Sequence, residues 1–172
     1  MRSKILPIFF SAIFLIIFLV FYEGLKKTNI YTPNLNQEKN IPLFETKILG
    51  TNKKINSKDI FKENKFYITN IWASWCVPCR KEHVFLMELS KQKNIKIIGI
   101  NYKDKNINAL NFLKELNSPY EMVLLDPDGT LAIEWGAYGV PETFLIYNKK
   151  IIKKIIGPLN EESLFILKRL TR

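Results

Sequence analysis

The chain has 172 residues, of which 26 are basic and 16 acidic, so that its formal net charge is +10. This length is sufficient for one domain with its own apolar core and a short additional segment. Most basic residues are single lysines scattered among isoleucines and asparagines, and no nucleic-acid-binding motif accompanies them. The composition therefore argues against a nucleic-acid partner and indicates a solvated, lysine-rich surface.

The N-terminal part of the chain is an apolar run from Ile5 to Tyr22, interrupted only by Pro7 and Ser11. As a helix, this run would be about 27 Å long, which is close to the thickness of the hydrocarbon core of a bilayer. No small-residue cleavage pattern follows it. The sequence therefore predicts an uncleaved transmembrane anchor within residues 1–27, rather than a signal peptide that is removed.

The charges on either side of this run predict its orientation. Arg2 and Lys4 precede it, whereas Lys26 and Lys27 follow it and are partly offset by Glu23. Together with the terminal amine, this bias favours an N-terminus on the cytoplasmic side. We therefore predict a single-pass protein of the bacterial inner membrane, with its soluble domain in the periplasm, where disulfide chemistry is permitted.

The rest of the chain divides into a linker and one folded domain. Residues 28–40 are polar and without periodicity, which is typical of a linker, and residues 41–172 form the predicted domain. In this domain, β-branched and aromatic runs alternate with segments whose apolar residues recur at helical spacing. The predicted strands are 43–49, a short piece from 53, 66–71, 95–101, 122–126, 143–147 and 150–156, and the predicted helices are 57–61, 80–92, 107–116, 131–135 and 161–170. Strands separated by helices, followed by a hairpin, predict an α/β fold with a mixed central sheet and helices on both faces.

Both cysteines of the chain, Cys76 and Cys79, lie between a predicted strand and the start of a predicted helix. Unpaired backbone N–H groups and the helix dipole stabilise a thiolate at such a position and lower its pKa. We therefore predict that Cys76 is the more exposed, attacking sulfur and that Cys79 is its resolving partner. Pro78 fits the first helical turn, because its missing N–H would have no intrahelical acceptor there.

Other uses of two cysteines are less favoured by the sequence. Zinc needs four ligands, and the chain adds only His83 to the pair, so no metal site is predicted and His83 is assigned to the helix surface. A copper-binding module needs fewer soft ligands, but no histidine or methionine cluster supports it. A structural disulfide this short would restrain the unfolded chain little. Redox chemistry at a strand-to-helix junction is typical of a thioredoxin-like fold.

The segment Trp-Ala-Ser-Trp-Cys-Val-Pro-Cys, which ends at Cys79, resembles the active-site segment of the thioredoxin superfamily. Further motifs resemble the CcmG/DsbE family of membrane-anchored thiol:disulfide oxidoreductases of cytochrome c maturation. These motifs are Arg80-Lys81-Glu82-His83, Gly99-Ile100-Asn101-Tyr102-Lys103-Asp104, Trp135-Gly136-Ala137-Tyr138-Gly139-Val140-Pro141-Glu142-Thr143-Phe144 and Gly157-Pro158-Leu159. The resemblance implies a thioredoxin-like domain after one transmembrane helix, with no cofactor beyond a redox-active Cys76–Cys79 disulfide.

The resemblance also implies a reductant that works in an oxidising compartment. Its substrate would be apocytochrome c or a maturation partner, and a membrane electron donor of the CcdA or DsbD type would reduce it again. Cys76 would attack the substrate disulfide, and Cys79 would release the reduced substrate. A thiol reductase of the ResA or TlpA type, which serves haem-copper oxidase assembly, is the alternative, and the sequence Glu-Thr-Phe from Glu142 favours the first assignment without excluding the second.

Two carboxylates are candidates for tuning the pair. Asn70 occupies the strand position where thioredoxins carry a buried aspartate, and Glu82 and Glu142 are predicted to replace that carboxylate. A carboxylate near Cys76 would raise the pKa of its thiol and make the couple a stronger reductant. Considered alone, however, Glu82 has the position of an exposed helix residue.

The remaining predicted site residues form a substrate groove. Pro141 resembles the cis-proline that faces the disulfide in this superfamily, and the backbone of Val140 would pair with an extended substrate. Trp75 and Tyr138 are predicted to form an apolar surface around Cys76, whereas Trp72 is assigned to the core.

Overall fold

The computed structural model describes residues 5–26, 39–62 and 64–171. The chain separates into two compact units, residues 1–34 and residues 35–172. In the first unit, helix α1 (Ile5–Lys26) occupies the predicted anchor. Of the helices in the described parts of the chain, none combines the length and apolarity that crossing a membrane requires. The anchor therefore stays a prediction, and residues 27–38, most of the predicted linker, lie outside the described residues.

The second unit contains a six-stranded sheet and a separate two-stranded sheet. The strands are β1 (Lys39–Asn40), β2 (Glu45–Lys47), β3 (Lys54–Asn56), β4 (Phe66–Trp72), β5 (Ile95–Tyr102), β6 (Met122–Asp126), β7 (Glu142–Tyr147) and β8 (Lys150–Ile156). The strand order of the larger sheet is β1-β8-β7-β4-β5-β6, and β2 pairs with β3 in the smaller one. β4, β5 and β6 are parallel to one another, whereas β7, β8 and β1 are antiparallel to their neighbours.

Two apolar clusters cover the two faces of this sheet. In β4, Ile68 and Trp72 belong to one cluster and Tyr67 and Ile71 to the other, because successive residues of a strand face opposite sides. The helices after α1 are α2 (Ser57–Ile60), α3 (Val77–Leu89), α4 (Asn106–Leu116), α5 (Thr130–Glu134) and α6 (Glu161–Leu170). The first cluster contains residues of α3, α4 and α6, and the second contains residues of α2 and α5. The predicted mixed sheet with helices on both faces is confirmed.

Local signals explain two of the element boundaries. Asn160 caps α6, since its side-chain oxygen accepts from the Ser163 N–H at 2.9 Å. The predicted hairpin also forms, with Asn148 and Lys149 at φ values of 49° and 62°.

Three predicted boundaries are wrong. The strand expected over 43–49 is limited to β2, followed by a single bridge between Ile48 and Leu124. The last two residues of the predicted linker form β1 and pair with β8. Helix α3 begins at Val77 instead of residue 80, because Cys76 itself caps it.

Candidate active site

Cys76 and Cys79 are joined by a disulfide at the start of α3, with their Cα atoms 5.3 Å apart. Cys76 is the N-cap residue, and its Sγ accepts a hydrogen bond from the Cys79 N–H at 3.1 Å. Pro78 lies in the first turn, as predicted. A sulfur that already faces a helical N–H is well placed to be stabilised as a thiolate once the disulfide is reduced.

Both sulfur-bearing residues are largely covered. Cys76 is 4% exposed and Cys79 is 2% exposed, so the order of exposure agrees with the prediction but the difference is small. Val140 packs against the apolar cluster that contains both cysteines. The Val140–Pro141 peptide is cis, as the resemblance implies, and the Pro141 carbonyl accepts from the Gly157 N–H at 3.0 Å.

The loop that carries Cys76 is held by the loop between β5 and α4. The Asp104 carboxylate accepts from the Ser74 N–H at 2.6 Å and from the Ser74 hydroxyl at 2.8 Å. The Trp75 indole N–H donates to the Lys103 carbonyl at 3.0 Å, while 56% of Trp75 stays exposed. Sequence reasoning assigned no role to Asp104, although the residue belongs to one of the motifs that carry the resemblance.

Glu82 is fully buried, with 0% exposure, so its interpretation as an exposed helix residue is wrong. Its Oε1 accepts from the Asn70 side-chain amide and its Oε2 accepts from the Leu159 N–H, both at 2.8 Å. Burial raises the pKa of Glu82 to about 7, against the lowering effect of these two hydrogen bonds. The carboxyl lies one helical turn after Cys79 and titrates in the neutral range.

Asn70 joins this carboxyl to a buried hydrogen-bond network. Its amide nitrogen donates to Glu82 and to Thr143 Oγ1 at 3.1 Å, and its oxygen accepts from the Tyr120 hydroxyl at 2.8 Å. Burial and the neighbouring Glu82 charge raise the pKa of Tyr120 well above its ordinary value, which keeps the phenol a donor. An ionised aspartate at position 70 could not donate to Glu82, so the Asn70 amide and the Glu82 carboxylate form a matched pair.

Trp72 and His83 are both buried beside this network. The Trp72 ring is 1% exposed and stacks on Tyr120 at 5.5 Å, which confirms its assignment to the core. The assignment of His83 to the helix surface is wrong, because the residue is 4% exposed and its Nε2 lies 2.8 Å from the Asn117 carbonyl oxygen. Its ring meets Phe112 of α4 edge to face, and burial lowers the pKa of His83. No group of three or more potential ligands is arranged to hold a metal within the described parts of the chain.

Glu142 follows the cis-proline and is also buried, at 1% exposure. Its Oε1 accepts from the backbone N–H groups of Tyr138 at 2.7 Å and Gly139 at 3.2 Å. Its Oε2 lies 2.8 Å from Lys154 Nζ, a partner that sequence reasoning missed. The tuning of Cys76 by Glu142 stays a prediction, and the structure adds that this carboxylate carries its own counter-charge.

Comparison with known proteins gives a family for this site. Residues 36–165 match the Redoxin family. The DsbE thiol:disulfide interchange protein of Escherichia coli K12 is 40% identical over 139 residues, which are 80% of this chain and 74% of that protein. The CycY thiol:disulfide interchange protein of Rhizobium leguminosarum is 47% identical over 103 residues, which are 59% of this chain and 55% of that protein.

The structural comparison agrees with this result. The crystal structure of a DsbE-type thiol:disulfide interchange protein from Chlorobium tepidum has a TM-score of 0.66, covering 80% of this chain and 96% of that chain. At 24% identity, this likeness shows the thioredoxin-like fold alone. From the sequence relatives and the family match, the chain belongs to the DsbE family of thiol:disulfide interchange proteins, and its chemistry is protein-disulfide oxidoreduction.

Proposed function

We propose that the protein is a periplasmic reductant that transfers two electrons from the Cys76–Cys79 dithiol to a substrate disulfide. The Cys76 thiolate attacks one substrate sulfur, and the other substrate sulfur leaves as a thiolate that takes up a proton. Cys79 then loses its proton and attacks Cys76 Sγ, which releases the second substrate thiol. The protein ends as the disulfide and the substrate as two thiols.

The observation that carries this proposal is the buried carboxyl of Glu82 on the same helix as the resolving cysteine. A group whose pKa is about 7 accepts and returns protons near neutral pH. Glu82 is therefore the proposed acceptor for the proton of Cys79. Asn70 and the Leu159 N–H hold its two oxygens in place while it changes charge.

The proposed substrate groove consists of Trp75, Tyr138, Val140 and Pro141. Trp75 and Tyr138 are 56% and 61% exposed, which leaves aromatic surface for an extended peptide. The resemblance supports apocytochrome c or a maturation thiol partner as the substrate and a CcdA- or DsbD-type membrane donor. A client in haem-copper oxidase assembly is the second candidate.

The proposed cellular location of the protein rests on its sequence. The apolar run from Ile5 to Tyr22 and the flanking basic residues favour an inner-membrane anchor with the domain in the periplasm. Helix α1 covers this run. Extraction of membranes with alkaline carbonate tests the anchor: retention in the pellet supports it, and release into the supernatant contradicts it.

The experiment for the reaction uses the reduced protein and a disulfide-bonded peptide with the sequence Cys-x-x-Cys-His, the haem-attachment motif. The native protein should yield the dithiol peptide, and neither Cys76→Ser nor Cys79→Ser should turn over. Only Cys79→Ser should accumulate a mixed disulfide, detected by mass. Equal trapping by both variants would contradict the assigned roles. A variant without Cys79 that still supports function in the cell, together with stoichiometric copper in the reduced protein, would favour the non-catalytic copper-binding module.

A further inference from the structure

Lys154 of β8 has a largely covered side chain beside the proposed groove. Its side chain is 9% exposed, and its Nζ lies 2.8 Å from Glu142 Oε2. The same ammonium donates to the Gly136 carbonyl at 2.8 Å. A covered charge is costly unless it is paired and hydrogen-bonded, and Lys154 meets these two conditions through Glu142, which follows the cis-proline, and through Gly136.

The ammonium also lies on the face of an aromatic ring. The distance from Lys154 Nζ to the centre of the Tyr138 ring is 4.1 Å, within the range of an attractive cation–π contact. Tyr138 nevertheless stays 61% exposed. Lys154 therefore holds one face of the ring and leaves the rest of it open to a binding partner.

The Lys154–Glu142 pair also fixes the backbone of the loop from 136 to 140. Lys154 binds the Gly136 carbonyl, and Glu142 binds the N–H groups of Tyr138 and Gly139. A Cβ placed at Gly139 would meet nothing within 4 Å, whereas the side chains of Ala137 and Val140 on either side pack against the core. The ion pair therefore supplies the contacts that hold the loop backbone between these two packed positions, at Tyr138 and Gly139.

A β-bulge selects this lysine over its neighbour. The hairpin begins with Tyr147 opposite Lys150, and uninterrupted pairing would place Lys153 opposite Phe144. The register shifts between Leu145 and Ile146, so that Lys154 stands opposite Phe144 instead. Paired residues share a face, as do residues two apart, which brings Lys154 to the side of Glu142 and turns Lys153 away.

We infer that Lys154 is a positioning residue for substrate recognition: it fixes Tyr138 and the 136–140 loop, and so favours extended peptide disulfides. This inference rests on the proposed function. The test measures single-turnover oxidation of the reduced full-length protein by the Cys-x-x-Cys-His peptide disulfide and by dithiobisnitrobenzoate, a small disulfide. Lys154→Met should raise the half-saturating peptide concentration about fivefold to tenfold. The maximal rate with peptide should change by less than about twofold, because the sulfur chemistry is not altered.

Two controls keep the result interpretable if Lys154→Met destabilises the fold. The double variant Glu142→Gln/Lys154→Met leaves no unpaired buried charge, retains the glutamine oxygen for the loop N–H groups, and should show the same rise. Lys153→Met removes a lysine of the same strand from the opposite face and should resemble the native protein. Normal half-saturation in both Lys154 variants would overturn the inference, as would equal rate losses with the peptide and the small disulfide.

A double-mutant cycle tests whether Lys154 acts on peptide binding through the Tyr138 ring. In a Tyr138→Leu background, Lys154→Met should raise the half-saturating peptide concentration by less than about twofold, because the ring that it positions is gone. An undiminished effect would overturn the role assigned to Tyr138. If the native reduced protein transfers no electrons to the peptide, the proposed function fails. The inference fails on its own when the native protein and the Lys154 variants use the peptide equally well.

Discussion

Two of the glutamates that the structure describes, Glu82 and Glu142, are buried near the disulfide, and their surroundings differ. Glu82 accepts hydrogen bonds from an amide and a backbone N–H, and no cation of residues 5–26, 39–62 or 64–171 pairs with it. Glu142 accepts hydrogen bonds from two backbone N–H groups, and its Oε2 lies 2.8 Å from Lys154 Nζ. Burial alone therefore does not determine what a carboxyl group does.

The partners account for the contrast. Without a counter-charge, burial raises the pKa of Glu82 to about 7, so this carboxyl is suited to exchange a proton. Lys154 neutralises the charge of Glu142, and the carboxylate oxygens of Glu142 hold the loop from 136 to 140. We therefore propose that the first glutamate takes part in the chemistry of the cysteines and that the second maintains the shape of the groove.

The largest expected effect comes from breaking the ion pair. Lys154→Met leaves the Glu142 charge buried without its partner, and we expect the free energy of unfolding to fall by about 3–5 kcal/mol. Glu142→Gln/Lys154→Met should recover most of that loss. Urea denaturation of the native protein and the two variants measures these free energies. A double variant no more stable than Lys154→Met would contradict the interpretation that Lys154 neutralises the buried charge of Glu142.

The other glutamate should show its difference through pH. The pKa of Glu82 is raised from 4.5 to about 7, so the folded protein binds this proton more tightly than the unfolded chain does. Its contribution to stability is complete below pH 4.5 and is lost as the pH rises through about 7. The free energy of unfolding should fall by up to about 3 kcal/mol across that window, relative to Glu82→Gln. If the free energy of unfolding of the two proteins changed with pH in parallel, the pKa of Glu82 would not be raised by folding.

A smaller effect should follow from removing the hydroxyl at the far end of the Glu82 network. Tyr120→Phe leaves the buried Asn70 oxygen without its donor at 2.8 Å. We expect a loss of about 1–2 kcal/mol in the free energy of unfolding, measured by urea denaturation. An unchanged free energy of unfolding would show that the Tyr120 hydroxyl does not stabilise the network around Glu82.

The smallest expected effect concerns the redox potential. Glu142→Gln removes a negative charge and should make the cysteine couple more oxidising by about 10–20 mV, which is below 1 kcal/mol. Glu142→Gln/Lys154→Met should return to the native value, because the pair contributes little net charge. Equilibration with glutathione buffers measures both, and an unchanged potential in the single variant would remove the tuning role of Glu142.

Much of the fold follows from local patterns in the sequence. The β-branched runs give the strands of the central sheet, and the segment around Cys76 gives the strand-to-helix junction. The buried face of α3 was harder to predict, because Glu82 and His83 lie on it between Cys79 and Leu86. The hydrogen-bond partners of the Glu82 carboxylate and of His83 Nε2 include Leu159 and Asn117, which are distant in the sequence.

The pairing of Glu142 with Lys154 could not be predicted either. A two-residue hairpin turn can be recognised from Asn148 and Lys149, and by itself it would place Lys153 on the Glu142 side. The bulge that exchanges the two lysines lies in an apolar run with no glycine to mark it. A single unpaired residue in a strand thus decides which cation reaches the carboxylate.

The most direct test of the account is the pH dependence of the second chemical step. The mixed disulfide between Cys76 and the peptide can be formed and its resolution by Cys79 followed by rapid acid quench, in the native protein and in Glu82→Gln. We expect the native rate to rise with an inflection near pH 7, and the variant to be slower and to lack that inflection. The same inflection in both proteins would contradict the assignment of Glu82 as the acceptor of the Cys79 proton.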